Sequence, residues 1–206
     1  LYVDVLFDLT MWIVIGGGLV CAGILPGWLY ITIKMLVFIG RFILLFHYTT
    51  HNPTSPALTW YSAWIISPFF GLPFDTYKYH HIYMHHAENN QRPWDTTTTL
   101  PYQRDNFCHF LAYWLRHAVG VSFELPYRTF MRRSAWDAFV LVAKLVSDIV
   151  LKYVLYQYYP NATLWLLIVP YWMTTGALMF GNFSQHIFVD PEKFESNMHL
   201  TYNCIG

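Results

Sequence analysis

The sequence predicts an all-α integral membrane protein of about four transmembrane helices, with its histidines gathered on one side of the bilayer. Three observations predict it. Charged residues make up only 12% of the chain, against roughly 25% in ordinary soluble domains, too few to cover a water-exposed surface. Uncharged apolar stretches recur at the length that hydrocarbon requires. Ten histidines stand out in so apolar a chain, at the ends of those stretches and in the polar segments that follow them. The length of 206 residues fits a single domain, 1–206. Net charge is zero with histidine neutral, so no global electrostatic attraction to nucleic acid is implied. Cys21, Cys108 and Cys204 are odd in number and widely spaced, which gives neither a disulfide framework nor a zinc motif.

The first span is expected within Leu9–Ile33, which carries no charge and leaves room for about 20 helical residues before a turn at Pro26-Gly27. The small residues Gly16, Gly17 and Gly18 mark close helix packing. A second span is expected from about Leu29 to Phe46, ending at His47. Lys34 and Arg41 interrupt it on one face; Lys34 is placed to snorkel and Arg41 to face the bundle or a wet cavity. Residues 52–75 mix Trp60, Trp64, Phe69 and Phe70 with Pro68, Gly71 and Pro73, too short and broken for a full span, and read as a half-buried or re-entrant segment. Residues 76–135 are polar and rich in histidine, with amphipathic helical character around Phe107–Val121. A third span is expected over Trp136–Tyr158, a fourth over Thr163–Gln185 with a kink at Pro170. The third carries Lys144, Asp148 and Lys152 at intervals of four, one charged stripe that either pairs within the bundle or meets a partner subunit.

Charge sets the orientation. Lys78, Arg92, Arg104, Arg116, Arg128, Arg132, Arg133 and Lys193 all lie between spans two and three or after span four. By the positive-inside rule these segments face the cytoplasm or its organellar equivalent. The Asn161-Ala-Thr163 sequon falls in the opposite, short turn, too close to the membrane for glycosylation.

The histidines carry the chemistry. His47 and His51 are four apart, on one helical face and within reach of one metal ion. His80-His81-Ile-Tyr-Met-His85-His86 follows. On an α-helix His81 and His85 repeat the four-residue spacing, and His86 points about 100° from His85, so that neighbours can serve two ions. Imidazole suits iron, zinc, copper and nickel, and six histidines within this stretch exceed what one zinc ion takes. His186 ends span four on the same side, four residues after Asn182. His109 and His117 lack a paired spacing and read as surface or interface residues, as does His199.

These boxes, in this order and followed by Ala-Glu-Asn-Asn, resemble those of the membrane fatty acid desaturase and hydroxylase superfamily. Gly181-Asn-Phe-Ser-Gln-His-Ile-Phe-Val-Asp-Pro191 and Thr201-Tyr-Asn-Cys204 add to the likeness, which runs from about residue 29 to the end. The resemblance implies four spans below a cytoplasmic-side helical cap, and two iron ions in an all-nitrogen shell. By position it implies His47, His51, His81, His85, His86 and His186 as metal ligands, with His80 the alternative to His81, and Asn182 as a cofactor-binding polar group acting through water. The family's third histidine box is not in the sequence and is expected shortly after Gly206; the chain begins at Leu1 and reads as part of a longer protein.

The activity implied is O₂-dependent desaturation of a fatty acyl chain, in lipid metabolism, with Trp60, Trp64, Phe69 and Phe70 either lining the lipid's path or anchoring the membrane interface. No fused cytochrome signature of the His-Pro-Gly-Gly type occurs, so the electrons are expected from an external cytochrome or ferredoxin. Endoplasmic reticulum, plastid and mitochondrial membranes all suit, with the boxes on the cytoplasmic, stromal or matrix side. The competing reading is a non-catalytic, desaturase-like structural subunit of a larger membrane complex. A bis-histidine haem protein would place its ligands inside facing spans, whereas these histidines cluster at span ends.

Overall fold

The computed structural model describes residues 2–53, 55–91 and 93–187; His199, Cys204, Arg92, Lys193 and the motif residues from 188 onward lie outside them. Among the described residues every regular element is helical. Three helices are long and apolar enough to cross a membrane: α1 (Tyr2–Cys21), α2 (Gly27–His51) and α7 (Pro160–His186). Only 28–33% of each apolar window is buried within the protein, which leaves most of each surface for lipid. Between them lie α3 (residues 56–69), α4 (residues 77–86), α5 (Phe107–Arg132) and α6 (Ala135–Tyr158). The helix α6 has the length of a span, but its charged stripe sets it apart from the three apolar ones.

The chain divides into two compact units. The first comprises Leu1–Tyr77 and Ala143–Thr174, the second Lys78–Val142 and the chain from Thr175 onward.

In the first unit α1 starts earlier than its hydropathy suggests and takes in Asp4 and Asp8. Asp8 is tolerated because Arg41 of α2 donates to its carboxylate at 3.0 Å, both side chains about half exposed. Arg41 therefore faces outward. Lys34 does the reverse of snorkelling: it is fully buried, and its ammonium donates to the Phe69 carbonyl at the C-terminus of α3 beneath the Phe70 ring, 4.5 Å from the centroid. A cation there satisfies a carbonyl that the helix end leaves unpaired. The stripe on α6 is split as well: Lys152 pairs with Asp148 and Lys144 with Asp75, each at 2.6 Å.

The α1–α2 turn closes with Gly23 in the left-handed region (φ 71), its neighbour Ile24 N–H bonding back to Leu19 C=O at 2.9 Å. Val20, Tyr30, Leu166 and Leu167 form the core, with Trp12, Phe69 and Trp165 packed against it. Gly16 admits the Tyr30 ring, which a Cβ would meet at 3.1 Å. α3 is about 21 Å long at 1.5 Å per residue, short of the roughly 30 Å of hydrocarbon. It ends in a turn at Gly71 (φ 83), where a Cβ would lie 2.4 Å from the Pro170 carbonyl. Phe70 is fully buried and stacks on Phe42 at 4.3 Å, so Phe69 and Phe70 build the core instead of a lipid path. Trp60 alone of the four aromatics is largely exposed.

In the second unit Asn106 caps α5, accepting from the Cys108 N–H at 2.9 Å. Tyr113 of α5 packs on Met179 and Phe183 of α7, and Trp114 Nε1 donates to Thr175 Oγ1 at 3.2 Å. Near its C-terminal end α5 holds the segment after the second histidine box: Arg128 bonds Glu88 and the Trp94 carbonyl, and Arg132 reaches Glu88 at 3.2 Å.

Candidate metal centre

His47 and His51 close the last turn of α2 in the first unit. Their rings lie 4.8 Å apart, the one-face placement that their spacing requires.

The second box departs from the sequence expectation. Residues His81–His86 form a π-helical turn, whose i→i+5 bonding widens the turn and shifts the α-helical alignment of side chains. His81 comes closer to His86 than to His85: its ring centroid is 4.5 Å from that of His86, with the two Nε2 atoms 3.1 Å apart, and 6.1 Å from that of His85. His80 and His85 lie parallel to within 3°, their centroids 6.4 Å apart.

The chain after the box is shaped to bring a carboxylate under His85. Asn89 and Asn90 both adopt positive φ (50 and 62), a conformation that Asn tolerates better than most residues. They turn the backbone so that the Asn90 side chain, fully buried, takes the Thr99 N–H at 2.8 Å. Within this loop Asp95, also fully buried, accepts from His85 Nδ1 and Asn90 N–H at 3.0 Å on Oδ2. On Oδ1 it accepts from the Thr97 N–H and hydroxyl at 2.8 Å. Burial raises the Asp95 pKa, but the His85 and Thr97 interactions outweigh it and hold the carboxyl below its ordinary value. An ionised Asp95 fixes the proton of His85 on Nδ1 and leaves the Nε2 lone pair for a metal ion.

His186 is buried, its ring 5.0 Å from that of His85, and its carbonyl accepts from Thr99 Oγ1 at 2.9 Å. The Asn182 amide donates to Thr97 C=O at 3.2 Å and to the Tyr113 hydroxyl, which in turn donates to Thr97 C=O at 3.0 Å. It braces the loop that carries Asp95. His117 corrects a second expectation. It is buried in the second unit, 4.9 Å from His80, and burial pushes its pKa down to about 4. Burial likewise holds His80 well below the usual histidine value. His109 does behave as a surface residue, accepting the Gln103 N–H at 2.8 Å on Nδ1.

The donor set fits an imidazole-binding metal. Two imidazole nitrogens each about 2.1 Å from one ion lie about 3.0 Å apart at an octahedral angle and about 3.4 Å at a tetrahedral one, a range that includes the His81–His86 separation of 3.1 Å. A further requirement, an oriented ligand backed by a carboxylate, is met at His85.

Residues 19–205 match the sequence profile of the fatty acid desaturase family. The chain belongs to the fatty acid desaturase family. No curated protein and no solved structure matches it. Membership covers nine-tenths of the chain, extends the likeness read from the histidine boxes back to the C-terminal end of α1, and makes this a membrane-bound member of a lipid-metabolism family. The second unit brings together His80, His81, His85, His86, His117 and His186; His47 and His51 are paired in the first. Sequence reasoning missed Asp95, Asn90, Thr97 and Tyr113. The run Asp95-Thr-Thr-Thr-Thr99 was their one visible signal: five consecutive polar residues, all buried, need an internal set of partners.

Proposed function

We propose that this chain is a fatty acyl desaturase whose histidines hold two iron ions, with O₂ as oxidant. The observation that carries the reading is the second box: His81 and His86 face each other through Nε2 while His85 is held by a buried carboxylate. His47, His51, His81, His85, His86 and His186 would hold the metal. Bound iron supplies the activation of O₂ needed to remove two hydrogens from an unactivated acyl chain. The protein's own part is to hold and orient. Asp95 keeps the His85 proton on Nδ1, Thr97 and Asn90 fix Asp95, and Asn182 with Tyr113 fixes Thr97 through its carbonyl. Burial keeps the Tyr113 hydroxyl protonated by raising its pKa, so that it stays a donor to that carbonyl.

An acyl tail would reach the centre from lipid beside the apolar helices α1, α2 and α7, with α6 as the fourth span, its charges paired internally. The positively charged loops support placement of the boxes on the cytoplasmic, stromal or matrix side. Electrons would come from a separate cytochrome or ferredoxin.

The test is iron per chain in the purified full-length protein, by elemental analysis. Close to two irons, lost in His85→Ala/His86→Ala protein that still folds, is the expected result. Well-folded wild-type protein without iron would overturn the catalytic reading and favour the structural-subunit role.

A further inference from the structure

The second box leaves His80 outside the proposed iron ligands. Its ring lies parallel to that of His85, with centroids 6.4 Å apart. From α5, His117 approaches His80 with ring centroids 4.9 Å apart and planes at 69°. His80 Nε2 and His117 Nδ1 are both buried, and neither has a hydrogen-bond partner among the described residues. A buried polar atom left unpaired costs about 1–3 kcal/mol, and such orphans in a native protein call for a bound water or ion. Here two of them sit on adjacent imidazoles contributed by different helices, and the space beside these rings is the candidate niche. The charge balance is also in place: the next ring, His85, carries the buried carboxylate of Asp95, an anion that a cation in the niche would neutralise.

We propose that His80 and His117 form a second metal-binding site, taking a first-row divalent cation that prefers imidazole ligands, separate from the His81/His86 pair. The site does not depend on the desaturase reading. It rests on two orphaned nitrogens and a neighbouring anion, and gives His117, on a helix without any histidine box, a ligand's role.

The experiment uses full-length protein in detergent, stripped of metal with a chelator and titrated with Co²⁺. Bound Co²⁺ is counted, and its ligand-field absorption is recorded for wild type, His80→Phe/His117→Phe and His81→Ala/His86→Ala. The phenylalanine pair is expected to bind one Co²⁺ fewer than wild type, and the alanine pair to retain that ion. Equal binding by wild type and the phenylalanine pair would overturn the proposal and assign the niche to water. Should the phenylalanine pair fail to fold, His117→Gln, which keeps a polar side chain of similar size, must still lose that ion; retention there would equally overturn it. Failure of the iron centre reads out separately, as equal stoichiometry in wild type and the His81→Ala/His86→Ala protein.

Discussion

Asp95→Asn separates the two jobs of the buried carboxylate. Asp95 accepts two hydrogen bonds on each oxygen, from His85 Nδ1 and Asn90 N–H on one side and from the Thr97 N–H and hydroxyl on the other. An amide of the same shape has one accepting oxygen, so its NH₂ must face one of these pairs. Facing Thr97, it confronts a backbone N–H that cannot reverse, and a buried unpaired donor costs about 1–3 kcal/mol. Facing His85 and Asn90, it orphans the Asn90 N–H at similar cost. It also invites His85 to accept on Nδ1, which moves the ring proton to Nε2 and removes the metal-binding lone pair. Loss of an outer partner of this kind typically lowers metal affinity about 10–100-fold. Two measurements check this: iron retained after graded chelation, and thermal unfolding of the full-length protein in detergent. The variant should lose iron at lower chelator concentration and unfold earlier. In His85→Gln protein the further effect of Asp95→Asn on iron should largely vanish, since the two act through one ligand. Iron affinity equal to wild type in Asp95→Asn would refute the orienting role, and undiminished additivity with His85→Gln would show that Asp95 acts elsewhere.

Gly71→Ala should destabilise the first unit by about 1–3 kcal/mol from the left-handed backbone alone, and more from the collision with the Pro170 carbonyl; unchanged thermal unfolding would contradict that packing. Lys34→Ala removes a buried stem and the partner of the Phe69 carbonyl, with a loss of roughly 2–5 kcal/mol, and Lys34→Met, which keeps the volume, should be milder. Acid should weaken the fold in a window set by His117. Its pKa falls from the usual histidine value to about 4 on burial, so below about pH 6.5 the unfolded chain takes up a proton that the folded chain refuses. Stability is then lost as pH falls from there to about 4, by up to about 3 kcal/mol from this residue. Asp95, held below its ordinary value, adds a loss at still lower pH, as the carboxylate is protonated. His117→Gln should shrink the higher window, to which buried His80 also contributes, and leave the lower; an identical acid profile would exclude His117 as one of its sources.

What the sequence determined by itself is the class of structure and the chemistry of its donors. Uncharged runs of span length have one way to satisfy their backbone in lipid, the helix, and α1, α2 and α7 follow. His47 and His51 pair because an α-helix repeats within four residues, and the family was legible in the order of the boxes. What only the tertiary structure decided is which polar groups meet. Lys34 and Arg41 share a face in sequence, yet one is buried under Phe70 and the other lies outside with Asp8, because their partners come from other helices. The second box reads as an α-helical ligand set, and a π-helical turn, a shift of one residue in bonding register, pairs His81 with His86 instead. Asp95 reaches His85 through a turn built from two positive-φ asparagines, and His117 is buried because α5 carries it against His80. Periodicity reports the face of one helix at a time, whereas a metal ligand is made by the partner that burial and folding bring to its other nitrogen.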